Sequence, residues 1–317
     1  MVLPVVLRIG RALLVVLLVT VAVVGLMSLA PGSVAQVILG QNATPQAVAA
    51  LNAKLGLDQP LWLQYAHWLG GAVHGDLGAS PVTGQPVSTA IVERLPVTLE
   101  LAVLALVIAL VVSVLLAIVS AIRPGGPADR VITAITSALL SAPAFIAGPL
   151  LIYLFAIKLG WFPVIGWWRL SDGIVANLSG AMLPATAIAL MEIATFHRLL
   201  RADLVGTLRE DFVGAARAKG MTLRYVMLRH ALRPSSLSLI TLVGINLGRL
   251  LGGTVVVETL FSLPGLGQLL STSIISRDVI TVQGVVVFIA VAYVGINTVV
   301  DLSYRFIDPR VRKVAAA

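Results

Sequence analysis

The sequence predicts an all-α, polytopic membrane protein with six transmembrane helices. Three observations lead there. Hydrophobic residues make up 58% of the chain and charged ones 11%, with a mean hydropathy of +1.01; a soluble domain carries charge on about a quarter of its residues. Six apolar runs stand near residues 9–30, 97–122, 131–157, 181–200, 236–257 and 282–304, against the roughly 20 residues that a hydrocarbon core about 30 Å thick asks of a helix. The runs are continuous instead of alternating, which argues against a β-barrel.

The third observation is where the charge sits. A net charge of +8 and a pI near 10.4 would suit a nucleic-acid partner in a soluble chain, but in a membrane chain Lys and Arg mark the cytoplasmic side. With a cytoplasmic amino terminus, the inner segments hold Arg8, Arg11, Arg123, Arg130, the run of basic residues from Arg198 to Arg233, Arg305, Arg310, Arg312 and Lys313. The outer segments hold Lys54, Arg94, Lys158, Arg169 and Arg277. Both termini are therefore expected inside, with membrane lipids and no nucleic acid as partners. Cysteine is absent, which removes disulfides and thiolate metal sites; His67 and His74 are too loosely spaced for a metal pair, and no metal site is expected.

Taken in order, residues 1–30 form the first span. The apolar stretch from Ala12 to Leu29 is longer than a signal-peptide core, so it reads as a retained helix even though Arg8, Arg11 and Ser28-Leu29-Ala30 resemble a cleavable signal. Residues 31–95 form an external region with short helices. Thr44 caps a helix that has Pro45 at its first position and Gly56 as its stop. A second helix, Leu61 to Leu69, carries Trp62, Tyr65 and Trp68 as a small core or an interfacial anchor. Turns come next, at Gly75–Gly78 and Thr83–Pro86.

Residues 96–317 form the core domain with five spans. Pro96 is expected to open the second span, with Glu93, Arg94 and Glu100 at its outer mouth. The third contains Ser141-Ala142-Pro143 and Gly148-Pro149, which bend a helix, whether as a moving part or a static kink. Trp161, Phe162, Trp167 and Trp168 crowd the outer boundary as an aromatic belt. Glu192 lies halfway down the fourth span, where a carboxylate is costly and faces a cavity or a partner. In the fifth span, small residues from Gly244 to Gly253 allow close helix packing, and Arg249 comes to the depth of Glu192. Glu192, Asn246 and Arg249 are candidates to face a passage through the membrane; a buried structural ion pair at a helix interface is the other reading.

Between the fourth and fifth spans stands a basic interruption, residues 209–234. Its first half places Phe212, Ala215 and Ala216 at i, i+3, i+4 spacing, an apolar and nearly flat face. Gly220 breaks or turns the helix. Thr222 then caps a second half with Leu223, Val226, Met227 and Ala231 on one face and Arg224, Arg229 and Arg233 around the other. The pattern fits a docking element for another protein and equally an amphipathic loop on an anionic membrane.

The string DFVGAARAKGMTLRYVMLRHALRP resembles the EAA loop of ABC importer permeases, in the form found in dipeptide and oligopeptide permeases. Gly214 stands where the general motif has Glu, and Pro234 falls one residue after the motif's Pro. ATPQAVAALNAKLGLDQPLWLQYAHWL, GDLGAS, TGQPV and ERLPVTLELA resemble the first external region of the same permeases. VVVETLFSLPGLGQLL and the Asp308-Pro309-Arg310 ending extend the likeness along the chain. The resemblance implies a type I ABC importer permease in the bacterial cytoplasmic membrane, paired with a second homologous permease chain and two cytoplasmic ATPase subunits or domains. It also implies an extracytoplasmic solute-binding protein that delivers di- or oligopeptide. Coupling to the ATPases would fall to Glu210, Asp211, Ala215, Ala216, Arg217, Lys219, Gly220 and Arg224. Contact with the binding protein would fall to Asp76, Glu258, Phe261 and Pro264.

The chain carries no ATPase of its own: Lys54, Lys158, Lys219 and Lys313 all stand outside any Gly-rich phosphate loop. ATP and Mg therefore belong to the partner subunits, and no cofactor is expected here. A Gly-x-Ser-x-Gly elbow and a His-Glu-x-x-His helix are also lacking, so no catalytic residue is expected. The rival reading is an ion-coupled secondary transporter or channel with Glu192, Arg249 and Asp301 as a relay.

Overall fold

The computed structural model describes the backbone of residues 2–29, 32–141 and 143–307, and the side chains of residue 10 and of residues 13–29, 32–141 and 143–300. In chain order the helices are α1 (Val2–Leu29), α2 (Val34–Leu39), α3 (Pro45–Leu55), α4 (Leu61–Val73), α5 (Val87–Ile122) and α6 (Pro127–Leu140). Next are α7 (Ala144–Lys158), α8 (Ile174–Thr207), α9 (Asp211–Ala218) and α10 (Leu223–Gly253). Last come α11 (Val255–Leu260), α12 (Leu266–Ile275) and α13 (Val279–Ile307). Among the described residues the only β pairing is one bridge between Ala79 and Pro86.

Four of these helices, α5, α8, α10 and α13, are long and apolar enough to cross a bilayer singly. Counted as one span each, two bent pairs bring the number to six: residues Leu13–Leu29 with Val34–Asn42, and Pro127–Leu140 with Ala144–Lys158, whose axes differ by 57° and 109°. At 109° the third apolar run is broken and not merely bent, as in a broken span or a re-entrant loop. Pro143 explains it: the residue stands at the N-cap of α7 in extended conformation, and without an N–H it cannot continue a helix from α6.

By internal contacts the chain divides into two units, residues 1–98 with 264–295 and residues 99–263 with 296–317. In the first unit, Ser33 caps α2 through a reciprocal box: its Oγ accepts from the Gln36 N–H while Gln36 Oε1 accepts from the Ser33 N–H. Thr44, Pro45 and Gly56 start and stop α3 as the sequence predicts. Tyr65 Oη lies 2.7 Å from Thr20 Oγ1, fastening α4 to α1, and Trp68 Nε1 donates to the Leu77 carbonyl at 3.2 Å. Trp62 points away, at 70% exposure, because residues at i, i+3 and i+6 fan over about 120° of a helix.

Pro96 does not open the second span; it sits inside α5, which starts at Val87. Packing accounts for the extra turns. Val87, Ala90 and Ile91 are buried against Leu266, Leu269 and Val285, burial that offsets one lost backbone hydrogen bond. Thr98 Oγ1 also accepts from the Leu266 N–H at 2.9 Å, satisfying a donor at the start of α12.

In the second unit, α8 is the central post, packed against α6, α7 and α10. Close approaches use glycine: a Cβ at Gly244 would lie 2.6 Å from Val300 Cγ1, and one at Gly148 would lie 2.4 Å from Leu260 Cδ2. The fifth span ends at Gly253 and not near residue 257; Thr254 starts α11 instead, and its hydroxyl donates to Glu258 Oε1 at 2.8 Å. The Asp308-Pro309-Arg310 ending lies outside the described residues.

Candidate coupling element and intramembrane ion pair

The basic segment after α8 folds as a short helix standing between two spans. Glu210 occupies the N-cap position of α9 with extended backbone. Val213 and Ala216 are buried against Val226 at the base of α10, flanked by Leu208 and Met221. Of the expected face, Ala216 therefore points inward, while Phe212 and Ala215 are exposed together with Asp211, Arg217 and Lys219. Two apolar stripes were open to this helix. The one through Val213 and Ala216 goes inside because Val226 offers it a partner, and Val213 is the anchoring residue that the 212/215/216 pattern misses.

Gly220 turns the chain at φ +82°, and Thr222 Oγ1 accepts from the Tyr225 N–H. Residues 223–234 make no separate helix. Instead α10 runs unbroken from Leu223 to Gly253, with wider π-type turns over Val226–Ala231 and Pro234 taken into its course. Val226, Met227 and Ala231 are buried, and Arg224, Arg229 and Arg233 are exposed, as their pattern predicts. The back half of the segment is thus the foot of the fifth span. Thr207 Oγ1 lies 2.9 Å from Ser235 Oγ, joining the end of α8 to that foot. A groove of about 190 Å³ beside α9 is lined by Ile122, Pro124, Leu208, Val213, Arg217 and Leu223.

Two polar nodes lie above this element on α8. Asp129, 3% exposed, accepts from Arg201 Nε and Nη2 at 2.5 Å each, from the Gly125 N–H at 2.7 Å and from Thr133 Oγ1 at 3.4 Å. It therefore fixes the return loop between α5 and α6 to α8. His197 is buried between Ser120 Oγ at Nε2 (3.1 Å) and Thr136 Oγ1 at Nδ1 (3.3 Å). Thr136 gives its own proton to the Ile132 carbonyl, so Nδ1 carries the imidazole proton and Nε2 accepts from Ser120. Sequence pattern pointed to neither node, although an Asp in a Gly-rich turn and an Arg one helical turn after a His are its visible traces.

Glu192 and Arg249 do meet: Arg249 Nη2 donates to Glu192 Oε1. The glutamate side chain is 3% exposed and the arginine 53%. Asn246, one turn earlier on α10, is buried; neither its Nδ2 nor Glu192 Oε2 has a hydrogen bond among the described residues. The side chain of Asp301 lies outside the described residues.

The candidate external contacts divide. Asp76 is exposed, its Oδ1 accepting from the Gly78 N–H at 2.9 Å, and Pro264 is exposed. Glu258 and Phe261 are interior, at 0% and 3% exposure. The turn after α11 tucks them in: the Leu263 N–H donates to the Glu258 carbonyl and Ser262 takes φ +53°. In the first unit, a cleft of about 910 Å³ is lined by Tyr65, His67, Trp68, Asp76 and Arg277 among others.

Residues 113–313 match the family described as the binding-protein-dependent transport system inner membrane component, and residues 1–102 match the N-terminal part of such a membrane component. The chain belongs to this family. As a permease of that kind it is 38% identical, over 96% of its length and 97% of the relative's, to a protein of Brucella abortus (strain 2308) named as a putative peptide transport system permease. It is 36% identical to the glutathione transport system permease protein of Escherichia coli (strain K12), over 89% of this chain and 90% of that one. A solved structure, described as the crystal structure of an amino acid ABC transporter with histidines, shares the fold with a TM-score of 0.53 at 18% identity, over 69% of this permease and 94% of that chain. The chain is thus a multi-pass, non-catalytic component of the inner membrane.

Proposed function

We propose that this permease forms one half of a translocation pathway for di- or oligopeptides, closed by a second, homologous but different permease chain. Two cytoplasmic ATPases would bind ATP and Mg and supply the force, and an extracytoplasmic binding protein would deliver the cargo; both termini of the permease would then be cytoplasmic. The observation that carries this reading is the build of residues 209–234. α9 is anchored by Val213 and Ala216 on its inner side and offers Phe212, Ala215 and Lys219 outward. A push on that outer face passes into α8 through Leu208 and into α10 through Val226, so two spans tilt with one displacement. A lipid-lying amphipathic loop would instead bury Phe212 outward and need no such inner anchor. Asp76 and Pro264 are the exposed members of the set proposed for the binding protein; Glu258 and Phe261 would act by shaping the turn.

The test is purification and reconstitution. Coexpressed with its ATPases, second permease chain and binding protein, the complex is expected to copurify and to import peptide into proteoliposomes only with ATP and binding protein. Uptake by this chain alone under an ion gradient would contradict the proposal and favour the relay reading.

A further inference from the structure

Glu192 and Arg249 are not equal partners. The carboxylate is sealed in protein at 3% exposure, whereas the guanidinium closes over it and keeps 53% of its surface outward. A guanidinium carries five N–H donors in a planar fork, and Glu192 engages it through Nη2. A pair kept only for packing would be weak evidence of stability, since well-packed apolar residues serve as well or better. Here, moreover, buried hydrogen-bonding capacity is left over on the same two helices: Glu192 Oε2 on α8 and Asn246 Nδ2 on α10 have no partner among the described residues, although both residues are more than nine-tenths buried. Buried polar atoms are ordinarily satisfied, and exceptions call for a ligand or a function.

We propose that Arg249 is a carboxylate-binding group of the pathway, which α8 and α10 line at this depth, that it is held from behind by Glu192, and that it receives the terminal carboxylate of the transported molecule; this rests on the reading above, in which peptides are the cargo. The planar fork matches a carboxylate. Glu192 offsets the cost of placing a bare cation at membrane depth and fixes the direction of the fork. The bound carboxylate shares the guanidinium with Glu192, which holds the cargo moderately and lets it leave, as passage requires. Asn246 stands one helical turn away with an unused amide N–H.

The experiment uses the full complex in proteoliposomes, with one binding protein throughout and trialanine and its C-terminal amide as probes. Arg249→Gln is expected to lower trialanine import about 10- to 100-fold, the range for losing a hydrogen bond to a charged group, and to erase the preference for acid over amide. Arg249→Lys should keep part of that preference, and Glu192→Gln should weaken it while the subunits still copurify. Unchanged preference in Arg249→Gln would overturn the carboxylate site alone. Loss of the second permease chain from purified Arg249→Gln would overturn it too, by placing Arg249 in a subunit contact. Import of neither probe by the unaltered complex would instead overturn the peptide reading, and the proposal with it.

Discussion

Asp129 shows most plainly how single residues hold the return loop between α5 and α6 to α8. Its carboxylate takes both arms of the Arg201 fork and the Gly125 N–H, so Asp129→Asn leaves a charged guanidinium facing a neutral amide beneath the exposed loop at residues 123–125. Removing one partner of a fully buried pair costs about 3–5 kcal/mol, and the cost here is smaller because the Arg201 side chain keeps 29% of its surface exposed. The expected outcome is a clear drop in the melting temperature of the purified complex, with a smaller drop for Arg201→Lys, which keeps the charge and loses the fork; equal melting for Asp129→Asn and the unaltered protein would refute this. Glu192 and Arg249 were legible in the sequence because opposite charges at matching depth in two apolar runs stand out against their surroundings. Asp129 and Arg201 were not, because each sits in a charged segment between apolar runs, where an unpaired residue looks the same as a paired one.

Elements were legible where local chemistry ends them and less so where packing extends them. Thr44, Pro45 and Gly56 specify α3 by capping alone. Pro96 suggests a helix start, but burial of Val87, Ala90 and Ile91 carries α5 further back, to Val87. The same holds for residues 209–234: polarity marks them as leaving the membrane, but only tertiary contacts decide that Val213 and not Phe212 turns inward and that α10 begins at Leu223. Gly220 is the hinge between the two halves. A Cβ there meets nothing within 4 Å, yet its φ is +82°, so Gly220→Ala strains the backbone alone, at about 1–2 kcal/mol. Amide exchange over residues 211–222 should quicken while the rest of the permease is unchanged; unaltered exchange there would mean the turn is not the stop that holds α9 in place.

At the scale of the whole molecule, the permease is a set of spans with a short polar helix, α9, at the foot of two of them. Hydropathy counted six membrane segments, and the structure presents them as four continuous helices and two bent pairs, because apolar composition reports where lipid is faced and says little about where a backbone breaks. The foot is built into the spans: α9 is tied by chain and by packing to both α8 and α10. Its orientation gives the most direct measurement. Single cysteines at Ala215 and at Ala216, in this chain free of native cysteine, are to be cross-linked in membranes containing the ATPase subunits. Ala215, exposed, is expected to capture an ATPase subunit and to react with reagents from the cytoplasmic side, whereas Ala216, buried against α10, should do so far less. Capture at neither position, or labelling of Ala215 from outside the cell, would contradict the claim that this element takes up the force of ATP hydrolysis.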